Sequence, residues 1–109
     1  MKKADNKIAK KFAETLRERL GDRVKEIILF GSRARGEANS NSDWDILIVV
    51  AGSKLKRKER LDISKLSRRI FIEMGALADI IVLSETEKDH RADKIYTVTH
   101  QAYSEGIMI

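Results

Sequence analysis

The sequence predicts an α/β domain in which helices pack on a small three-stranded mixed sheet, and three observations carry that expectation. Segments with apolar residues at helical spacing alternate along the chain with short runs rich in Ile, Val and Leu. The resulting order is α-β-α-β-α-β-α, which places helices in a layer on a sheet. No long linker, internal repeat or low-complexity tract interrupts the 109 residues, so residues 1–109 are expected to form one domain around one core.

Each element follows from local pattern. Between Asp5 and Leu20, the residues Ile8, Phe12, Leu16 and Leu20 recur every fourth position, Asp5 or Asn6 is placed to cap the start, and Gly21 to close the end. Val24 to Phe30 is short, β-branched and aromatic, and it stops at Gly31-Ser32, a strand entering a tight turn. That turn is expected to open a short helix over about Ser32 to Ala38, which Asn39-Ser40-Asn41-Ser42 then ends, because such side chains compete for backbone hydrogen bonds. Asp43 to Val50 begins by alternating polar and apolar residues and becomes continuously apolar, a strand with an open mouth and a buried middle. After Ala51-Gly52-Ser53, the stripe Leu55, Ile63, Leu66, Ile70 and Met74 marks a second long helix that Gly75 stops. Ala78 to Leu83 is the third strand. Ala92 to Glu105 reads as weakly helical, with Ile95, Val98 or Thr99, and Ala102 on one side.

Composition excludes several classes of function. There is no Cys, which removes disulfide scaffolds, thiolate zinc sites and cysteine nucleophiles, and fits a reducing compartment. The longest apolar run, Ile46 to Ala51, is far short of the roughly 20 residues of a membrane span, and the charged amino terminus has no signal-peptide core. A cytoplasmic protein without membrane contact is expected. The net charge is +5, yet Lys54 to Arg69 alone carries eight Lys/Arg against Glu59 and Asp62, so the positive excess is local. Such a run is commonly a solvated helix face; as a binding surface it suits an acidic partner or RNA backbone, without the interleaved aromatic residues that single-stranded RNA favors.

The chemistry concentrates in one stretch: Gly31-Ser32, ten intervening residues, then Asp43-Trp44-Asp45 leading into the apolar strand. A Gly lets backbone approach a phosphate closely, and the first turn of a helix offers unpaired N–H groups and partial positive charge to an anion. The Ser32 hydroxyl adds a donor. Side chains two apart on a strand share a face with Cα atoms roughly 6.6 Å apart, so Asp43 and Asp45 point together while Trp44 points into the core. Two like charges on one face call for a cation, and Mg²⁺ is the hard, oxygen-preferring partner where phosphates also bind. Asp79, in otherwise apolar company, joins them if its strand lies beside theirs, and is then placed to accept a proton. Standing alone, each piece has a plainer reading: an ordinary capped turn for Gly31-Ser32, a cap for Asp43, a strand-edge charge for Asp45, a strand start for Asp79.

Gly31-Ser32-Arg33-Ala34-Arg35-Gly36, followed by Ser42-Asp43-Trp44-Asp45, resembles the minimal nucleotidyltransferase domains of the DNA polymerase beta superfamily, the motif spanning about Leu29 to Val50. The resemblance implies that ATP or another nucleoside triphosphate binds with its phosphates near Gly31 and Ser32. It implies that Asp43 and Asp45 hold two Mg²⁺ ions, and that Asp79 is the third acid, ligand and base. Arg33 and Arg35 become candidate phosphate contacts, with Arg35 favored by the family pattern. Members of the family are commonly encoded beside helical HEPN toxins and act as antitoxins, some by transferring AMP to a tyrosine of that partner. The alternatives are a non-catalytic antitoxin that masks its partner or RNA by surface contact, and transfer to a small molecule such as an aminoglycoside. His90 and His100 lack a neighboring nucleophile or acid and read as structural. Tyr96 and Tyr103 read as packing on the domain or a partner, and periodicity leaves oligomer formation open.

Overall fold

The structure, a computed structural model, describes residues 3–39, 42–92 and 97–109. Helix α1 spans Lys3–Leu20, a 3-10 turn Gly21–Arg23, strand β1 Val24–Phe30 and strand β2 Trp44–Val50. Helix α2 follows at Arg57–Glu73, then β3 at Ala78–Ser84, α3 at Glu85–Ala92, α4 at Val98–Glu105 and β4 at Ile107–Met108. The sheet order is β3-β2-β1-β4, with β2 and β3 parallel and the other pairs antiparallel. The sheet therefore has four strands where three were expected. Two-residue β4 is too short to show a period; it is seated because Gly106 approaches the chain so closely that a β-carbon there would lie 2.2 Å from the Ala102 carbonyl oxygen and 2.4 Å from Ile28 Cγ2.

Strand alternation sorts the side chains onto two faces. Val24, Ile27, Leu29, Trp44, Ile46, Ile48, Val50 and Val82 face α1 and α2, where they meet Phe12, Leu16, Ile63, Ile70 and Phe71. Phe12 and Phe71 stack with ring centers 4.4 Å apart, and Trp44 lies against Phe71 in the core as expected. The opposite face carries Ile28, Phe30, Leu47, Val49 and Leu83, covered in part by Ala102 and Tyr103 of α4. Asp45 and Asp79 belong to this second face by alternation.

Several expected boundaries shift. Helix α1 begins at Lys3, so Asp5 and Asn6 fall within it instead of ahead of it, and α2 begins at Arg57, with Leu55 buried just before it. In place of a helix over Ser32 to Ala38 there is a single helical turn. Arg35 N–H donates to the Gly31 carbonyl at 3.2 Å, and the turn then closes where Gly36, at φ +74°, and Glu37 donate to the carbonyls of Arg33 and Ser32. Gly36 supplies the left-handed residue that ends the turn early. Ser40 and Asn41 of the following loop lie outside the described residues.

Of the weak helix expected over Ala92 to Glu105, the described residues show α4 over Val98–Glu105. Ile95 and Tyr96 lie outside the described residues, and α4 starts at Val98 because the Thr97 side chain accepts the His100 N–H. Helix α3 was not expected, although Ser84 and Glu87 carry its signal: the Glu87 N–H donates to Ser84 Oγ and the Ser84 N–H to Glu87 Oε1, a reciprocal cap. Arg60 of α2 reaches the same Glu87 with both carboxylate oxygens at 2.9 and 3.0 Å. No helix of the described residues is long and apolar enough to cross a membrane.

Candidate active site

The site forms at one end of the sheet, where β1 turns back and β2 and β3 begin. In the antiparallel register Phe30 faces Asp45, so Gly31, the next residue, lies against the Asp45 side chain. Gly31 is buried at φ +75°, and a β-carbon on it would lie 2.2 Å from Asp45 Oδ2. Only glycine satisfies both demands, a left-handed backbone and a carboxylate pressed against it. In the parallel register Asp45 pairs directly with Asp79, which is the adjacency the sequence left conditional. Asp43 precedes β2, whose first N–H, from Trp44, donates to the Leu77 carbonyl at 2.9 Å. Asp43 and Asp79 are exposed, and Asp45 is half-buried between them.

The electrostatics follow from this crowding. Burial, and then the charges of Asp79 and Asp43, push the Asp45 carboxyl above its usual range, while the Arg35 cation offsets part of the effect. The donors are all carboxylate oxygens, which suits a hard divalent cation in both charge and ligand type. Among the described residues no three acidic or histidine side chains close into a metal cage by themselves. The acids line an open mouth.

The two arginines of the turn separate in role. Arg33, expected as a candidate phosphate contact, is 7% exposed. Its guanidinium stacks 4.3 Å from the Trp44 ring center, and it donates to the Ser42 carbonyl from Nε at 3.1 Å and Nη2 at 2.6 Å, and to the Asn39 carbonyl at 3.3 Å. It fastens the loop that delivers Asp43. Arg35 stays exposed and pairs with Glu37 and, at 2.9 Å, with Glu105 at the end of α4. Hydrogen bonds to those two carboxylates, Glu37 first, raise its guanidinium above the ordinary value. Glu105 is a neighbor of the site that sequence reasoning missed, since nothing local in the sequence signals a contact seventy residues away. Tyr103 donates its hydroxyl to Glu26 Oε1 at 2.7 Å, which makes it part of the domain's packing. His90 is exposed on α3, and His100 sits in the first turn of α4.

A family model described as nucleotidyltransferase domain matches residues 9–101. A candidate protein adenylyltransferase of Methanocaldococcus jannaschii is 33% identical over 88 residues, covering 81% of this chain and 88% of that protein. The protein adenylyltransferase MntA of Aphanizomenon flos-aquae is 33% identical over 66 residues, 61% of this chain and 41% of its own length. Among solved structures, a candidate nucleotidyltransferase from Sulfolobus solfataricus superimposes with a TM-score of 0.63 at 29% identity, over 94% of this chain and 76% of that one. A chain of a toxin–antitoxin complex with AMP-PNP shares the fold, with a TM-score of 0.60 at 22% identity over 95% of this chain and 70% of that one. The Gly-Ser turn, the paired acids and the sheet that joins them are thus found in a chain that belongs to the nucleotidyltransferase domain family.

Proposed function

We propose that this nucleotidyltransferase transfers AMP from ATP to a hydroxyl of a protein, a tyrosine of a helical HEPN-type toxin, and so acts as an antitoxin. The observation that carries the transfer is the junction of Gly31, Asp45 and Asp79: a buried left-handed glycine with the Asp45 carboxylate pressed against its backbone, beside the in-register carboxylate of Asp79. The protein acceptor is supported by the names of the two curated relatives, both protein adenylyltransferases.

In this reading the Gly31 backbone and the Ser32 hydroxyl hold the β- and γ-phosphates, and Arg35 exchanges a carboxylate partner for a phosphate oxygen. Asp43, Asp45 and Asp79 would hold two Mg²⁺ ions. When bound, Mg²⁺ offsets phosphate charge and lowers the pKa of the acceptor hydroxyl. Asp79, exposed at the mouth, takes the hydroxyl proton as the oxygen attacks the α-phosphorus. A new phosphorus–oxygen ester bond forms, the bond from the α-phosphorus to its bridging oxygen breaks, and pyrophosphate leaves with that oxygen. Most of the catalytic work is positioning and charge, which a domain of this size can provide.

A second reading keeps the fold and drops the chemistry, and the basic face of α2, where Arg57, Lys58, Lys65, Arg68 and Arg69 have no carboxylate partner among the described residues, favors it: the protein neutralizes its partner by contact alone. The double substitution Asp43→Asn with Asp45→Asn separates the two. Neutralization lost together with AMP transfer supports the enzyme, whereas neutralization that survives the loss supports the binding module.

A further inference from the structure

Strand β3 is the open edge of the sheet: it pairs with β2 on one side and with no strand among the described residues on the other. Because the Leu77 carbonyl points to β2, alternation turns the N–H and C=O groups of Ala78, Ile80 and Val82 outward. Arg60 occupies the Val82 carbonyl at 2.5 Å and Glu87 the Ser84 N–H at 3.0 Å, so the far end of the edge is capped. The near end, Ala78 and Ile80, keeps backbone groups with no hydrogen-bond partner among the described residues. From Ile80 to Leu83 the edge is flanked by a groove of about 420 Å³ between β3 and the α2 face bearing Arg57, Arg60, Leu61 and Ser64, with Arg91 of α3 also lining it. Leu61 is 47% exposed, and Arg57 and Arg91 have no carboxylate partner among the described residues.

These features select an occupant. Unpaired strand groups take an extended polypeptide backbone, unpaired arginines take carboxylates, and the half-exposed Ile80 and Leu61 take apolar side chains at alternate positions. Nucleic acid fits less well, because Phe12, Phe30, Phe71 and Trp44 are buried and none of these rings is open for a base to stack on. Asp79 sits between Ala78 and Ile80, so a strand laid on this edge passes the mouth of the acid site. We propose that the outer edge of β3 and its arginine-lined groove are where the acceptor protein docks, by adding an extended acidic segment as a further strand that brings its hydroxyl to Asp79. This inference rests on the transfer reading given above and adds to it the surface that chooses the acceptor.

The test is an NMR titration of the full chain with a peptide of about ten residues, the span of an ordinary strand, alternating Glu and Val around a central Tyr. The same peptide with Lys for Glu, and an oligouridylate, serve as controls. The acidic peptide is expected to shift the Ala78 and Ile80 amides and slow their exchange with solvent about tenfold or more, and the Lys peptide to do neither. Arg57→Glu with Arg91→Glu is expected to weaken that binding about tenfold while leaving the Gly31 and Ser32 shifts induced by AMP-PNP with Mg²⁺ intact. Binding that leaves the β3 amides unprotected, stronger binding by the oligouridylate, or no acidic-peptide binding at about 1 mM overturns the docking surface. Absence of the AMP-PNP shifts in the wild type strikes the nucleotide reading instead, so the two failures are told apart.

Discussion

Gly31 has to serve two masters at once, a turn that only a left-handed residue completes and a carboxylate that leaves no room for a side chain. Gly31→Ala is therefore expected to cost at least about 1–2 kcal/mol from backbone strain alone, lowering Tm by several degrees, and to remove transfer activity by displacing Asp45. Thermal unfolding alongside an activity assay checks both. Arg33 is expected to matter for stability and loop order more than for nucleotide affinity. Arg33→Ala should cost about 2–3 kcal/mol, because two carbonyls and the Trp44 face lose a buried cation, and Arg33→Lys should recover only part of it, lacking the planar fork. At this scale the motif residues could be read directly, because Gly-Ser and Asp-x-Asp depend on local geometry. Arg33 could not be placed in the same way. Whether an arginine lies over a tryptophan eleven residues on is decided by how the loop folds back, which spacing does not encode.

At the scale of elements, α3 is held by an exchange of hydrogen bonds between Ser84 and Glu87 and by the bidentate contact from Arg60. Burial works to raise the Glu87 carboxyl, but the Ser84 N–H and then Arg60 outweigh it, and the net result is a value below the ordinary 4.5. A carboxyl lowered in the folded state contributes stability above its unfolded value, and that contribution disappears as the pH falls through the folded value. Glu87→Gln should thus lower Tm at pH 7 by the equivalent of about 1 kcal/mol or less, with the gap to wild type closing below pH 4.5, as measured by calorimetry across pH. Gly106→Ala should release β4, and with it the Ile109 N–H bond to the Ile27 carbonyl, so that amide exchange speeds at Ile109 while the β1–β2 ladder keeps its protection. The three long strands and two long helices were legible because each is long enough to show its period. Helix α3 was legible in principle from Ser84-x-x-Glu87, and β4 was not, since two residues carry no period and their seat is a tertiary fit.

Across the whole molecule, the sheet separates a fully covered face from one on which the acids lie. The β2-α2-β3 crossover makes β2 and β3 parallel and brings Asp45 level with Asp79, an alignment that depends on the length of α2 and its connections as much as on either strand. The sequence left it open whether these strands are neighbors, and both their adjacency and their register come from the fold. The same crossover leaves β3 at the edge and sets α2 alongside it, so that Arg57 and Arg60 of the basic run line the groove beside Ile80 to Leu83. The most direct measurement of the central claim is incubation of the protein with α-labeled ATP and Mg²⁺, with and without the protein encoded by its neighboring gene, beside the Asp43→Asn, Asp45→Asn double variant. The account predicts label on the partner protein, abolished by chelation of the metal and reduced at least about a hundredfold in the double variant. Label that persists in the double variant, or its absence with every nucleoside triphosphate although a stable complex forms, would contradict it.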